Sequence, residues 1–267
     1  MPSRQDTAES LLRIAVDAAR DAGRLLTDRF RGPATGIASK STRTDLVSDA
    51  DRDAERVILE RIRAERPGDR IVAEESGGSA ATPGAAGVTW HVDPLDGTVN
   101  FLWGIPTWCV SIHASDAEGD LAAVVSDPSR DELFTAVPGR AWLNGSPLAM
   151  RPSSDLGDAL VATGFAYDAG VRERQAAVLA AVLPRVRDIR RAGSAALDLC
   201  WLAAGRVDAY FERGPREWDW AAGAMIVRES GGEVGSLDPV DGLPDGVIAG
   251  RNGLVPLLRP LVDPADA

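Results

Sequence analysis

Apolar residues recur at helical spacing from the start of the chain: Leu11, Ala15, Ala18, Ala22 and Leu25 follow Asp6 and Glu9 and continue to Gly32-Pro33. This pattern predicts one long amphipathic helix. A second helix is predicted where Ser48-Asp49-Ala50-Asp51 leads into Val57, Ile58 and Ile62, with a charged opposite face and a stop at Pro67-Gly68. The polar stretch between them, carrying Lys40-Ser41-Thr42-Arg43-Thr44-Asp45, reads as a mobile loop or hairpin. The pattern then shortens to strand-like runs at 71–73, 88–92, 108–113, 121–126, 133–137 and 141–143, the last meeting an Asn144-Gly145 turn. A low-complexity break at 77–87 reads as a surface loop. This half predicts helices followed by an antiparallel sheet.

Beyond Asp158, strand runs at 159–163, 188–190, 207–211 and 246–249 alternate with helical runs at 172–183, 194–204, 218–230 and 254–261. Such alternation predicts a second sheet covered by helices. A soft boundary near 150–157 divides the chain into an N-terminal α+β part, 1–152, and a C-terminal α/β part, 153–267, with no internal repeat.

With 45% hydrophobic residues in 267, the chain can bury a full core as one large or two packed domains. Cys109 and Cys200 sit in apolar contexts without metal-ligand spacing, so reduced, buried thiols are expected. The seven tryptophans read as core and interface bulk. The most apolar window, 176–183, is too short to span a bilayer, and no basic-then-apolar leader opens the chain, which predicts a cytoplasmic protein without membrane attachment. A formal charge of −11 argues against a general nucleic-acid or anionic-membrane surface, which needs clustered Lys and Arg. A small phosphorylated substrate remains open if positive charge is supplied locally, and a bound metal is the obvious source.

The candidate chemistry centres on Asp93-Pro94-Leu95-Asp96-Gly97-Thr98. Pro94 and Gly97 turn the chain sharply, so the stretch is either an ordinary turn or a place where two carboxylates meet a hard cation. Asp51, in the first turn of its helix, is by itself explained by the helix dipole. Glu74, at a strand end, and Asp219 complete a set of five acids, a number that decides nothing in a chain with 40. Only two histidines, His91 and His113, are present, both in strand-like runs, so histidine-based phosphoryl transfer has little to work with. His91 shares a strand face with Asp93 and is expected to be packed or hydrogen-bonded.

The local contexts of these acids are more informative. Ala73-Glu74-Glu75-Ser76 and Asp93-Pro94-Leu95-Asp96-Gly97-Thr98-Val99-Asn100-Phe101 resemble the Gly-Glu-Glu-Ser and Asp-Pro-Ile-Asp-Gly-Thr-Thr-Asn-Phe motifs of the inositol monophosphatase family, magnesium-dependent and lithium-sensitive sugar phosphatases. Asp45-Leu46-Val47-Ser48-Asp49-Ala50-Asp51 is similar to that family's Asp-Leu-Val-Thr-x-x-Asp, and Trp218-Asp219 before Ala221-Ala222-Gly223-Ala224 to its downstream Trp-Asp helix start. With Gly193-Ser194-Ala195-Ala196, the resemblance runs from roughly residue 7 to 260, in the manner of the bacterial SuhB-type branch.

The resemblance implies a layered αβαβα sandwich of the metal-dependent sugar phosphatase type, combining α+β and α/β parts. It implies that Glu74, Asp93 and the Leu95 carbonyl hold one Mg²⁺, that Asp93, Asp96 and Asp219 hold a second, and that two or three ions occupy each site. Asp51 and Thr98, with Glu74, would form the catalytic set that orients the attacking water, without a phosphoenzyme. Gly97 and Thr98 would hold phosphate, while Glu212, Asp96, Ser194 and Ala195 would contact the alcohol. A homodimer is also implied.

Substrate identity is less constrained. Val99 replaces the family threonine, and Arg216 stands where some members carry histidine, within the charged run Arg213-Gly214-Pro215-Arg216-Glu217. Lys40 resembles a mobile-loop lysine of the family. Inositol-1-phosphate hydrolysis is the leading expectation. The alternatives are histidinol-phosphate phosphatase activity, with Glu217 adding to an acidic pocket, and a regulatory protein acting on RNA polymerase or RNA.

Overall fold

The computed structural model describes residues 3–40, 46–77, 87–151 and 155–263. The first helix, α1 (Arg4–Arg29), begins before the Asp6-Glu9 start expected from the pattern. Ser3 is its cap, accepting from the Asp6 amide at 3.1 Å while Asp6 accepts the Ser3 N–H at 3.0 Å. Such a reciprocal pair satisfies two otherwise orphaned donors. Antiparallel partners β1 (Ala38–Ser39) and β2 (Leu46–Val47) lead to α2 (Asp49–Glu65), capped in the same way by Ser48 and Asp51. The loop readings at 40–45 and 77–87 fall largely on residues 41–45 and 78–86, outside the described residues.

A seven-stranded sheet follows, formed by β3 (Arg70–Ala73), β4 (Thr89–Asp96), β5 (Cys109–Asp116), β6 (Gly119–Asp127), β7 (Glu132–Val137), β8 (Arg140–Leu143) and β9 (Ser146–Pro147) in sequence order. A five-residue helix, α3 (Thr98–Leu102), separates β4 from β5. All neighbours are antiparallel except β3 and β4, a departure from the purely antiparallel sheet expected. The connection through 74–88 exceeds the dozen or so residues that a parallel crossover needs, so the chain can return to start β4 in the same direction.

The rest of the chain adds β10 (Leu160–Thr163), α4 (Ala169–Val182), β11 (Asp188–Arg190), α5 (Ala195–Ala203), β12 (Ala209–Arg213), α6 (Glu217–Glu229), β13 (Glu233–Leu237), β14 (Gly246–Gly250) and α7 (Val255–Val262). The five strands order as β11-β10-β12-β14-β13, parallel at the β10 pairs and antiparallel at the β14 pairs. Strand β13 was not expected. It is an edge strand of which only Leu237 is buried, so its sequence carries little apolar signal.

The helices do not simply cover the second sheet. α1 and α2 pack on the outer face of the first sheet, α5 and α6 lie between the sheets, and α4 and α7 close the far side, which makes the αβαβα sandwich. Strand β6 shows why its run is apolar throughout: Ala122 and Val124 face Ile14 and Ile58 on one side, and Ala123 and Val125 face Leu199 and Met225 on the other. A sheet buried on both faces reads as a continuous apolar segment. A third cluster, with Val161, Phe211, Ile248 and Leu258, lies under α4 and α7.

The middle layer depends on close contact between its helices. A Cβ at Gly223 of α6 would lie 2.7 Å from the Leu199 Cβ and 3.2 Å from the Ala196 carbonyl of α5. Gly223→Val is expected to force the helices apart, costing about 1–3 kcal/mol and lowering the urea midpoint. Activity should fall too, because Asp219 rides on the same helix; an unchanged midpoint would contradict this packing.

Candidate active site

Asp93 and Asp96 are three positions apart, a spacing that an unbroken strand would point to opposite faces. The register resolves this, because Asp93 pairs with Ser111 and Asp96 with Cys109, leaving one extra residue on β4. This bulge at Pro94-Leu95 brings both acids to the face covered by α5 and α6. The Leu95 amide donates to Asp93 Oδ1 at 2.9 Å, closing the turn. Gly97 then takes φ +97°, and a Cβ there would lie 2.8 Å from the Thr107 carbonyl, so both conformation and space require glycine. Asn100 of α3 ties the motif to the chain ahead of α5, donating to the Ala192 carbonyl at 2.9 Å.

Each remaining acid is delivered by its own tie. Glu55 of α2, buried, accepts the amides of Glu75 and Ser76 at 2.8 and 3.0 Å and so holds the turn that carries Glu74. Asp51 Oδ2 accepts the Ser48 amide and hydroxyl at 2.8 and 2.6 Å, while its Oδ1 accepts the Thr98 hydroxyl at 2.9 Å. The helix-start and catalytic readings of Asp51 therefore describe two oxygens of one carboxylate. Asp219 repeats the arrangement on α6, accepting the Arg216 amide at 2.6 Å through Oδ2. Ser111 donates to the Trp218 carbonyl at 3.2 Å and ties this helix start to β5.

Glu74, Asp93 and Asp219 each offer an oxygen within 4.8 Å of the others. Asp96 stands beside this group, with Oδ2 accepting the Ser194 hydroxyl at 2.7 Å and the Ala196 amide at 2.8 Å. Burial, then the charges of Glu74, Asp96 and Asp219, pushes Asp93 well above the usual carboxylate range. Burial and then Glu74 and Asp96 do the same to Asp219. Asp96 is raised to about 6 by burial, against the hydrogen bonds from Ser194 and Ala196 that favour its ionised form. The Leu95 carbonyl lies 3.1 Å from the Thr98 hydroxyl, as the longer of its two acceptors, and keeps a lone pair for another ligand. Clustered, mutually repelling oxygen donors suit a hard divalent cation.

Lys40 supplies positive charge beside the acids, its Nζ lying 2.7 Å from Glu74 and 2.6 Å from Glu75. Burial works against its ammonium, but the two glutamates outweigh burial and its pKa is raised.

A cleft of about 380 Å³ opens onto every expected metal and substrate residue, with Asp51 buried behind Thr98. Arg216 lines it, whereas the Arg213 guanidinium turns away to the carbonyls of Asp238 and Pro244 at 2.7 and 2.9 Å. Glu217 does not add to the substrate side as expected: its carboxylate lies 3.4 Å from His91 Nε2, because the first turn of α6 points it toward β4. His91 is packed as expected, stacked on His113 with the two Nδ1 atoms 3.5 Å apart. Among the cleft residues that escaped the sequence reading are Arg191 and Asp198. Asp198 had a readable signal as the sole acid in the apolar run of α5; Arg191 had none.

The raised carboxyls set a pH dependence. Asp96 releases its proton near 3.8 when unfolded but near 6 when folded, so without metal its contribution is most stabilising below 3.8 and is lost as pH rises to about 6. Asp93 and Asp219 act in the same direction. A cation binding the ionised set should offset this loss, adding about 2.7 kcal/mol at a hundredfold excess over Kd. Replacing EDTA by Mg²⁺ is therefore expected to raise the melting temperature more at pH 8 than at pH 5. Equal increments at both would remove these acids from the binding site.

The sequence profile described as the inositol monophosphatase family matches residues 7–259. The chain is 47% identical to Inositol-1-monophosphatase SuhB of Mycobacterium tuberculosis over 206 residues, covering 74% of this chain and 71% of the relative. It is 44% identical to Nus factor SuhB of Escherichia coli over 230 residues, 84% of each. Among solved structures, the extragenic suppressor protein suhB from Bartonella henselae superposes with a TM-score of 0.86 at 35% identity, covering 95% of this chain and 98% of that one. Inositol monophosphatase from Anabaena (Nostoc) superposes at 0.80 and 34% identity, covering 95% of each. The chain belongs to the inositol monophosphatase family of metal-dependent phosphatases.

Proposed function

We propose that the protein hydrolyses inositol-1-phosphate to inositol and phosphate, with magnesium as its metal. The observation that carries this reading is the convergence on one cleft of the Glu74, Asp93 and Asp219 oxygens, Thr98 with Asp51 behind it, and Glu212. Glu74, Asp93, Asp219 and Asp96, with the Leu95 carbonyl, would hold the ions. When bound, they offset the carboxylate charge that would otherwise repel a phosphate monoester and polarise the phosphate and the water. Two or three ions per site, inhibition by lithium, a homodimer and a cytoplasmic location belong to the same reading.

The roles of the chain's own groups follow from its hydrogen bonds. Thr98 has one hydroxyl proton, and giving it to Asp51 leaves its oxygen free to accept from a water in the cleft. The pair can thus orient the nucleophile and draw its proton toward Asp51, whose other oxygen is anchored by Ser48. Gly97 and Thr98 line the cleft, and their amides would hold the phosphate. Glu212, with Ser194 and Ala195, lines the side left for the alcohol.

Two other readings have support. The acidic wall formed by Asp96, Asp198 and Glu212 would also suit a cationic amino alcohol such as histidinol phosphate. The relatives named Nus factor support a role on RNA polymerase or RNA, against which stands the net charge of −11.

Phosphate release from inositol-1-phosphate and histidinol phosphate, measured side by side with Mg²⁺ and with or without Li⁺, separates these readings. Inositol-1-phosphate is expected to be the better substrate; release from neither would reject the phosphatase substrates proposed. Thr98→Val should lower kcat by about 10²-fold or more with a smaller change in KM, whereas full kcat would remove Thr98 from the water-orienting role.

A further inference from the structure

Asp198 is the one acid of α5, set among Leu197, Leu199 and Cys200 and only 1% exposed. Its Oδ1 is buried without a hydrogen-bond partner. A buried, unpartnered carboxyl oxygen is costly, and a folded chain retains one where something else completes it. That oxygen belongs to a side chain lining the same cleft as the hydrolytic groups. The charges that act on it, after burial itself, are those of Glu212 and Asp96. On α5 the Asp198 amide donates to the Ser194 carbonyl at 3.0 Å, so Asp198 stands one turn beyond Ser194 and Ala195, on the alcohol side of the cleft.

That side is built to present carboxyls. Glu212 of β12 accepts the Tyr210 hydroxyl at 3.1 Å and lies directly over Gly164, where a Cβ would come within 2.1 Å of its carboxyl carbon. Burial raises Glu212 to about 7, and Arg191 opposes part of that rise and acts in the same sense on Asp198. A cationic group is thus already supplied beside the two acids by the chain. What the wall lacks is a partner for the Asp198 carboxyl, and an alcohol hydroxyl suits a carboxyl in either protonation state because it can both donate and accept.

Resting on the phosphatase reading of this cleft, we propose that Asp198 binds the alcohol half of the substrate through its carboxyl group and, with Glu212, selects a polyol over a phosphate ester whose leaving group lacks hydroxyls. Such a leaving group would bury the oxygen still unpaired, and sites built for hydroxyls discriminate on this ground.

The test compares wild type, Asp198→Leu and Asp198→Asn with Mg²⁺ on inositol-1-phosphate, β-glycerophosphate and para-nitrophenyl phosphate. Asp198→Leu is expected to lower the kcat/KM ratio of inositol-1-phosphate to para-nitrophenyl phosphate on the order of tenfold, mainly through KM. Its melting temperature should rise, because an apolar side chain of similar size replaces an unpaired polar one. Asp198→Asn, which keeps a donor and an acceptor, should recover most of the ratio. An unchanged ratio, or equal losses on both esters, overturns the proposal by leaving Asp198 a structural residue. Wild-type inactivity on inositol-1-phosphate alone would overturn the substrate reading instead, and the ratio of β-glycerophosphate to para-nitrophenyl phosphate then decides the role of Asp198.

Discussion

Mutual repulsion among buried carboxylates is the constraint around which this structure is arranged. Two ionised groups at the separation of Glu74, Asp93 and Asp219 oppose one another by about 3–4 kcal/mol at a typical effective protein dielectric. No single element could hold three of them together, and the fold draws each from a different one. Strand β3 ends at Glu74 under the grip of Glu55, β4 bulges to present Asp93, and α6 starts at the level of Asp219, tied down by Ser111. Lys40 offsets part of the charge, and a bound cation would offset more of it.

The same residues serve folding and chemistry because helix starts are used as ligand sites. Asp51 and Asp219 each spend one oxygen on closing a helix N-terminus and keep the other toward the cleft or Thr98. Ser194 caps α5 and donates to Asp96 with the same hydroxyl oxygen. Helix N-termini stabilise acids through the dipole and the free amides, so each acid is partly compensated where it stands. Substitution at these positions therefore touches stability and activity together. Thr98, which caps nothing, lets the chemical role be tested apart from a helix start, although its loss leaves Asp51 Oδ1 without a partner.

Much of the layered architecture depends on one helix pair. α5 and α6 are buried along most of their length, with exposed residues at the ends of α6: they separate two sheets and bury apolar residues toward both, with Gly223 permitting their contact. Their N-termini carry Ser194 and Asp219 to the first sheet, so the ligand geometry depends on how the second half of the chain packs against β4 and β5.

Local pattern was enough to read α1, α2 and strands β3 to β8 of the first sheet, because capping residues and apolar periodicity are properties of neighbours in sequence. It was enough to nominate Glu74, Asp93, Asp96 and Asp219, since the turn chemistry around them is local and resembles that of a family. Only the tertiary structure decided that β3 runs parallel to β4, that α5 and α6 lie between the sheets, and that β13 adds an edge with a single buried side chain. It also decided directions that no spacing encodes: Glu217 toward His91 instead of the cleft, Arg213 into the carbonyls behind it, and Asp198 into the wall beside Glu212. The physical reason is the same throughout. Sequence determines which side chains a segment offers and with what period, whereas the partner of a buried polar group comes from a distant segment and exists only once the layers have closed.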